Sequence, residues 1–447
     1  MSAIKDVIIN IIDGVINATG VNFGVPLLIG YTGSRSIVKW GAGSSGIIAK
    51  SVARNQTFQL NVSYAASYSY AIVGGVIEIE APNTARVRDL IADFVANAPP
   101  SITNLISLEA TGTGSGIVQT LSTTTSAYLE YQRVESLTQI QYYYDTTDPE
   151  WKIIANILGS SPSPNVSYLL NTYNVTPANL ANTILPRDNG DWFAVLTTST
   201  DEDDQQAIAD YVNNTDRIAL FVSSDANRLD NVKGDHIAYI IHDAPADHPE
   251  ASWAAKCLPS VPTVGWKFQS RLQGQTPNLT ASLSDLLTVR NKKGNSYVRA
   301  NGVDYVDGAQ INTMSGNLYL DNVIGRLWIK LNLQIDIQNL LLRAAAEGAK
   351  IPYTDQGINQ IVSVVSNRLT AAGQLGLIAP VETQQQAKVS SDGQYRFKVT
   401  ALSRAQVEVM YPADITNRVY KGIKFAYVES GAIERAEVTG VILLSEV

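Results

Sequence analysis

The sequence predicts a multidomain chain of mixed α+β and α/β class, and three observations predict it. The chain has 447 residues, enough for about two to four domains at roughly 100–200 residues each. Between Asp148 and Leu258, strand-like and helix-like segments alternate, the pattern of a layered α/β domain. Between Thr57 and Ala98, a period-two apolar pattern gives way to one of helical period, which marks a smaller α+β unit.

Taken in order, the first element is the apolar run Val7-Ile-Ile-Asn-Ile-Ile-Asp13, matched near the other end by Ala436–Leu444. Most soluble domains place polar tails there. An unpaired strand exposes a row of N–H and C=O groups, so such ends must be covered within the fold or completed by another subunit. The chain therefore points to a building block before it points to a catalyst. Asn22–Tyr31, with the apolar centre Val-Pro-Leu-Leu-Ile between glycines, predicts a buried strand.

Phe58, Leu60, Val62 and Tyr64, then Tyr70, Ile72 and Val76–Glu80, alternate with small and polar residues and predict an antiparallel meander. Val87, Leu90, Ile91, Phe94 and Val95 predict a helix over Pro82–Ala98. Gly112-Thr-Gly-Ser-Gly116 and the Ser/Thr run behind it read as a turn and linker. The α/β series follows: helix Asp148–Leu158, strand Asn165–Leu170, strand Trp192–Thr197, helix Asp201–Val212, strands Arg217–Val222 and His236–Ile241, helix Pro249–Leu258.

Asn301-Gly302 inside Tyr297–Tyr305 predicts a hairpin, since this pair tolerates the positive φ angles of a type I′ turn. Gly325–Glu347 fits a strand by alternation and a helix by its Ile324, Leu327, Trp328, Leu331, Ile335 face. Its length without Gly, Pro or a turn decides for a helix, because strands usually run ~3–10 residues. A second helix spans Thr354–Ala372, capped by Thr354 or Asp355 and ended by Gly373. Strands Tyr395–Thr400, Gln406–Tyr411, Gly422–Val428 and Ala436–Leu444 close the chain.

Composition narrows function. With 45% hydrophobic and 17% charged residues the chain is an ordinary globular one, and a disordered scaffold is excluded. A net charge of −8 and a pI near 5.1 argue against a phosphate-neutralising surface, so no nucleic-acid partner is expected. The single Cys257 cannot form an intramolecular disulfide. Neither a signal peptide nor a run of ~20 apolar residues is present, so no membrane insertion is expected. The sequons at Asn17, Asn61, Asn165 and Asn278 then read as turn and strand polar residues.

Candidate chemistry is sparse. Gly41-Ala-Gly-Ser-Ser-Gly46 has the letters of a dinucleotide-binding loop, but no acid follows until Glu78, so a glycine-rich turn is expected and no cofactor. His236, His242 and His248 lie among Asp235, Asp243 and Asp247, yet without the spacing of a zinc site; strand, loop and Pro249 helix start account for them, and no metal is expected. Asp201-Glu-Asp-Asp204 suits a helix start capped by Thr200. Asp188-Asn-Gly-Asp191 is a turn, Lys292-Lys293-Gly294 a solvated loop, and Cys257 a buried structural thiol. No nucleophile elbow or phosphate loop occurs, so catalytic residues are expected to be none.

Several segments, in order, resemble the contractile tail sheath proteins of bacteriophages. Val7–Asp13 with Asn22–Gly30 is similar to that family's opening arm and first strand. Asp148–Leu170, with Ser-Pro-Ser-Pro164, resembles its next unit. His248-Pro-Glu-Ala-Ser-Trp-Ala-Ala-Lys-Cys-Leu-Pro259 followed by Gly265-Trp-Lys-Phe268 is the most specific piece, and Gly325–Leu342 with Lys350-Ile-Pro-Tyr-Thr-Asp-Gln-Gly-Ile358 resembles the long helix and the start of the next. The resemblance covers about two thirds of the chain.

It implies a linking arm over 1–20, a first core strand and Gly/Ser-rich segment over 21–56, an inserted α+β unit over 57–127, an outer α/β sheath domain over 128–320, an inner, tube-facing α+β domain made by the C-terminal part over 321–435 with the N-terminal strand, and a linking strand over 436–447. The implied function is a structural subunit that forms stacked rings around a tail tube and contracts to drive it through the host envelope. Its implied partners are further copies in a helical homo-polymer, the tail tube protein, and baseplate and tail terminator proteins. Its place would be the virion tail, after assembly in the host bacterial cytoplasm. Alternatives are another virion or surface-layer protein and an α/β metalloenzyme using His236–His248.

The ends give this implication a physical form. Burying about four side chains of one arm yields roughly 6–12 kcal/mol, and ordering about eight residues costs roughly 8–16 kcal/mol. An arm alone is marginal. Val7, Ile8, Ile9, Ile11 and Ile12, with Val438, Val441 and Leu443, are thus expected to order on joining the sheets of neighbouring subunits, as flexible couplings between domains that move as rigid bodies.

Overall fold

Pro26–Gly30 is buried at every position because it lies inside an eight-stranded sheet. The strands run in the order Tyr131–Val134, Ser167–Asn171, Pro26–Gly30, Ala194–Thr197, Ile218–Ser223, Ile237–Ile241, Asn295–Ala300, Val303–Asp307. The inner six are mutually parallel, and the two outermost strands pair antiparallel. This computed structural model describes residues 21–279, 281–314 and 318–432. The expected terminal strands Val7–Asp13 and Ala436–Leu444 lie outside them.

Both faces of this sheet are covered, which explains the unbroken apolar runs of its strands. Leu28, Leu169, Leu196, Leu220 and Ile240 point to one face, against Ile153 and Ile157 of helix Pro149–Gly159 and Trp253 and Cys257 of helix Pro249–Cys257. Leu27, Ile29, Val195, Phe221 and Tyr239 point to the other, against helices Pro177–Ile184 and Glu202–Thr215. The α/β alternation expected from Asp148 to Leu258 is therefore present, with ends shifted by up to three residues. Asp201, not Thr200, caps its helix, accepting from the amides of Asp203 and Asp204. Asn301 and Gly302 have φ of 51° and 77°, as the type I′ hairpin between Asn295–Ala300 and Val303–Asp307 requires.

Between the first strand and Tyr131 the chain makes a lobe of two four-stranded sheets. One has the order Ile106–Ala110, Ile47–Arg54, Arg35–Trp40, Ala127–Tyr128; the other Ser69–Val73, Val76–Ala81, Gln59–Tyr64, Leu121–Thr125. The expected meander is not formed. Ser69–Val73 and Val76–Ala81 make a hairpin through Gly74-Gly75, but Gln59–Tyr64 pairs in parallel with the second of them. Ile77, Ile79 and Ala81 of the interior strand bury fully, whereas Ile72 and Val73 of the edge strand are exposed. The lobe's core also takes in Val38, Trp40, Ile47 and Ala49 from the Gly/Ser-rich stretch.

Helix Val87–Asn97 covers this core. Gly112–Gly116 is no loose linker. Gly114 and Gly116 accept from the amides of Arg88 and Val87, and the Gly116 amide donates to Ser44, which locks the segment onto the Gly41–Gly46 turn. A Cβ at Gly112 would meet the Gly43 carbonyl at 2.6 Å. The helix thus spends its first two amides on backbone carbonyls of this segment.

Candidate assembly surface

The C-terminal unit grows out of one helix. Leu320–Ala346 begins with Leu320, Val323, Ile324 and Leu327 in the central core and continues with Ile329 and Leu333 in a separate one, so a single rod spans two cores. Helix Asp355–Gln374 packs back along it, and Gly373 lies inside its last turn rather than ending it. Thr354 caps this helix through the Gly357 amide, and a Cβ at Gly357 would meet the Pro352 carbonyl at 2.0 Å. Arg368 grips Asp336 of the long helix with two bonds of 2.6 and 2.8 Å while lying over the Trp328 ring.

On this helix pair rests a two-stranded sheet, Phe397–Ala401 against Ile423–Tyr427. Phe397, Val399, Ile423, Phe425 and Tyr427 pack on the second core. Lys398, Thr400, Lys424 and Ala426 form the exposed face. Between the strands lie two short helices, Arg404–Met410 and Pro412–Thr416. The strand expected at Gln406–Tyr411 is thus corrected to a helix. Val407 and Val409 alternate as in a strand, but only Val407 is buried, and a capping box of Ser403 and Gln406 starts a helical turn.

The sheet is anchored at one end. Glu429 pairs with Arg326 of the long helix and accepts from Asn322 at 2.8 Å, and the Ser430 amide donates to Leu377. Beside this pair lies a cleft of ≈ 290 Å³, bounded by the Pro262–Gly265 turn, the start of the long helix and residues 427–432. Burial, then the Glu429 charge, pushes the Tyr427 hydroxyl up to about 12. Among the described residues neither strand of the sheet has a strand on its outer side. This open sheet is the candidate assembly surface. Val7, Ile8, Ile9, Ile11, Ile12, Val438, Val441 and Leu443 lie outside the described residues.

The histidines, Asp188 and Lys292 have partners within the chain. His236 Nδ1 lies 3.0 Å from the Val212 carbonyl, His242 accepts from the Ala244 amide and meets the Thr276 carbonyl, and His248 pairs with buried Glu250 at 2.9 Å. The three imidazoles do not converge, and no metal-binding group of three His, Cys, Asp or Glu forms among the described residues. Asp188 is held by Arg217 and Tyr211. Lys292 bonds Asp230 and Asn227. Cys257 is fully buried, and burial raises its thiol pKa. No helix among the described residues is long and apolar enough to cross a membrane.

Sequence reasoning missed the joint that fixes the lobe. Arg54 grips Asp148 with bonds of 2.7 and 2.8 Å, Arg35 reaches Asp145 at 2.7 Å, and Asn55 accepts from both the Ser34 amide and Asn171. The partners stand 94 and 110 residues apart for the two arginines, so no local spacing announces them.

No family model and no curated protein matches the sequence. Solved structures do match in shape. A chain of the baseplate of the anti-feeding prophage, solved by cryo-EM with sixfold symmetry, superposes with a TM-score of 0.53 at 10% identity, over 70% of this chain and 88% of that one. A chain of an extracellular contractile injection system, the PVC sheath complex in its contracted state, superposes at 0.50 and 13% identity, over 70% and 87%. The chain has the fold of a contractile sheath complex. The mixed α+β architecture is consistent with that fold. It agrees with the resemblance read from Val7–Ile358 at the level of fold.

Proposed function

We propose that this chain is a structural subunit of a contractile tail sheath. Copies polymerise as stacked rings around a tail tube and contract to drive the tube through the host envelope. The observation that carries this reading is the fold shared with the PVC sheath complex over most of both chains. The open two-stranded sheet supports it, because two strands alone are marginal in water and gain from added strands.

In this reading Val7–Ile12 of one copy and Val438–Leu443 of another extend the sheets of their neighbours, which keeps the lattice linked while the rigid domains rotate. The other partners are the tube, baseplate and terminator proteins of the tail; nucleic acid, membrane insertion, cofactor and catalysis have no part. The subunit assembles in the host bacterial cytoplasm and acts in the virion tail.

Negative-stain imaging of the purified protein tests this: hollow sheaths are expected, and a flat lattice would point to a surface-layer protein instead. Deleting residues 1–20 should leave folded monomers that form short, poorly cohesive polymers. Polymers of unchanged length and cohesion would count against the arm.

A further inference from the structure

The sheet edges of this protein fall into two kinds. Outside the C-terminal sheet, Tyr131–Val134 carries Arg133, Val303–Asp307 carries Asp304 and Asp307, and Ile106–Ala110 carries Glu109. Charges of this sort keep an edge from pairing with another chain. Apart from the two-residue strand Ala127–Tyr128, the uncharged edges among the described residues are Ser69–Val73 and Leu121–Thr125, and they are the two opposite edges of one sheet in the lobe.

Neither edge is hidden. Ile72 and Val73 are 43% and 55% exposed, and Ser122–Thr125 are exposed throughout. Ser69–Val73 is antiparallel to Val76–Ala81, which is parallel to Gln59–Tyr64, which is antiparallel to Leu121–Thr125. The two edges therefore run in the same direction. One copy's first edge can lie beside the next copy's second edge and continue the sheet with a parallel pair. The charge logic excludes the lobe's other outer strand, Ile106–Ala110, from such a role. The Arg54–Asp148 and Arg35–Asp145 pairs hold the lobe in one orientation on the central sheet, so its edges have a fixed direction in any assembly.

We infer that the lobe joins neighbouring copies of this chain edge to edge, Ser69–Val73 of one against Leu121–Thr125 of the next. Such a contact uses a different patch on each copy, so repetition closes a ring or winds a helix. It deepens the proposed self-assembly and rests on it for the arrangement of copies, but it is read from a separate part of the molecule.

Cross-linking tests it, since Cys257 is the sole cysteine and is buried. Ala71→Cys and Thr123→Cys are made as two full-length variants, each checked for unchanged thermal unfolding, and treated with a short bismaleimide. A covalent dimer is expected when the two are mixed and from neither alone, and adding Val73→Lys to the first should remove at least nine tenths of it. No dimer in the mixture, or a dimer from Ala71→Cys alone, would overturn the inference. Imaging the same samples separates the two readings. Hollow sheaths without the cross-link leave the function standing and sink the lobe contact; the cross-link in flat sheets does the reverse.

Discussion

In the central sheet six parallel strands are closed at each end by an antiparallel one, helices lie on both faces, and the outermost strands carry Arg133 on one side and Asp304 and Asp307 on the other. The C-terminal sheet has two strands, one face packed on helices, the other open with Lys398 and Lys424. The first is complete in itself, and the second is stable only as far as its helix pair supports it. The difference sets a body closed on itself against a sheet whose outer backbone has no strand partner among the described residues. The long helix Leu320–Ala346 couples the two, with its first turns in one core and its middle in the other.

Trp253→Ala presses hardest on the comparison. Trp253 is fully buried, donates from Nε1 to the Trp266 carbonyl at 2.9 Å and meets the Trp266 ring edge to face. Truncation should cost about 3–5 kcal/mol, read as a lowered denaturant midpoint. A cost under ~1 kcal/mol would mean that the central body is not the rigid part.

Arg368→Ala sharpens the contrast from the other side. Arg368 and Asp336 are partly exposed, and the guanidinium also lies 5.1 Å from the Trp328 ring centre. Solvent limits the ion pair to about 0–1 kcal/mol and the ring contact adds about 0.5–1 kcal/mol, so the expected loss is about 0.5–2 kcal/mol in the same measurement. A loss as large as that of Trp253→Ala would place the C-terminal unit within the same cooperative body and remove the distinction.

Much of this contrast is legible in the sequence, and unevenly so. The central strands are buried on both faces, so each appears as a short apolar run between turn residues, as at Ile218–Ser223 and Ile237–Ile241. Strand partners are not legible in that way. Alternation at Gln59–Tyr64 reports a half-buried strand but not that Val76–Ala81 lies beside it in parallel. At Arg404–Met410 two valines set the wrong period, while the cap formed by Ser403 and Gln406 carried the right signal. The lobe joint joins arginines to aspartates across roughly a hundred residues, where one-dimensional spacing has no information.

The central body's completeness also has an internal exception at Glu150. This residue, on the first turn of helix Pro149–Gly159, is pressed against the end of the first strand so closely that a Cβ at Gly30 would lie 2.8 Å from its side chain. Oε1 accepts from the Thr32 amide at 2.9 Å and from the Thr198 hydroxyl at 3.4 Å, while Oε2 is buried without a hydrogen-bond partner. Burial therefore raises the carboxyl pKa above 4.5, against the opposing bonds from Thr32. A folded-state pKa above the unfolded one means that the folded chain holds the proton more tightly. The stability this brings is whole below the unfolded value and is lost as pH rises through the folded pKa. Glu150→Gln cannot ionise and escapes that loss. Its stability relative to the parent should be lowest in acid, rise as pH climbs above 4.5, and level off beyond the folded pKa, as followed by urea unfolding at a series of pH values. A difference that stays flat with pH would show that the carboxylate of Glu150 finds a compensating partner.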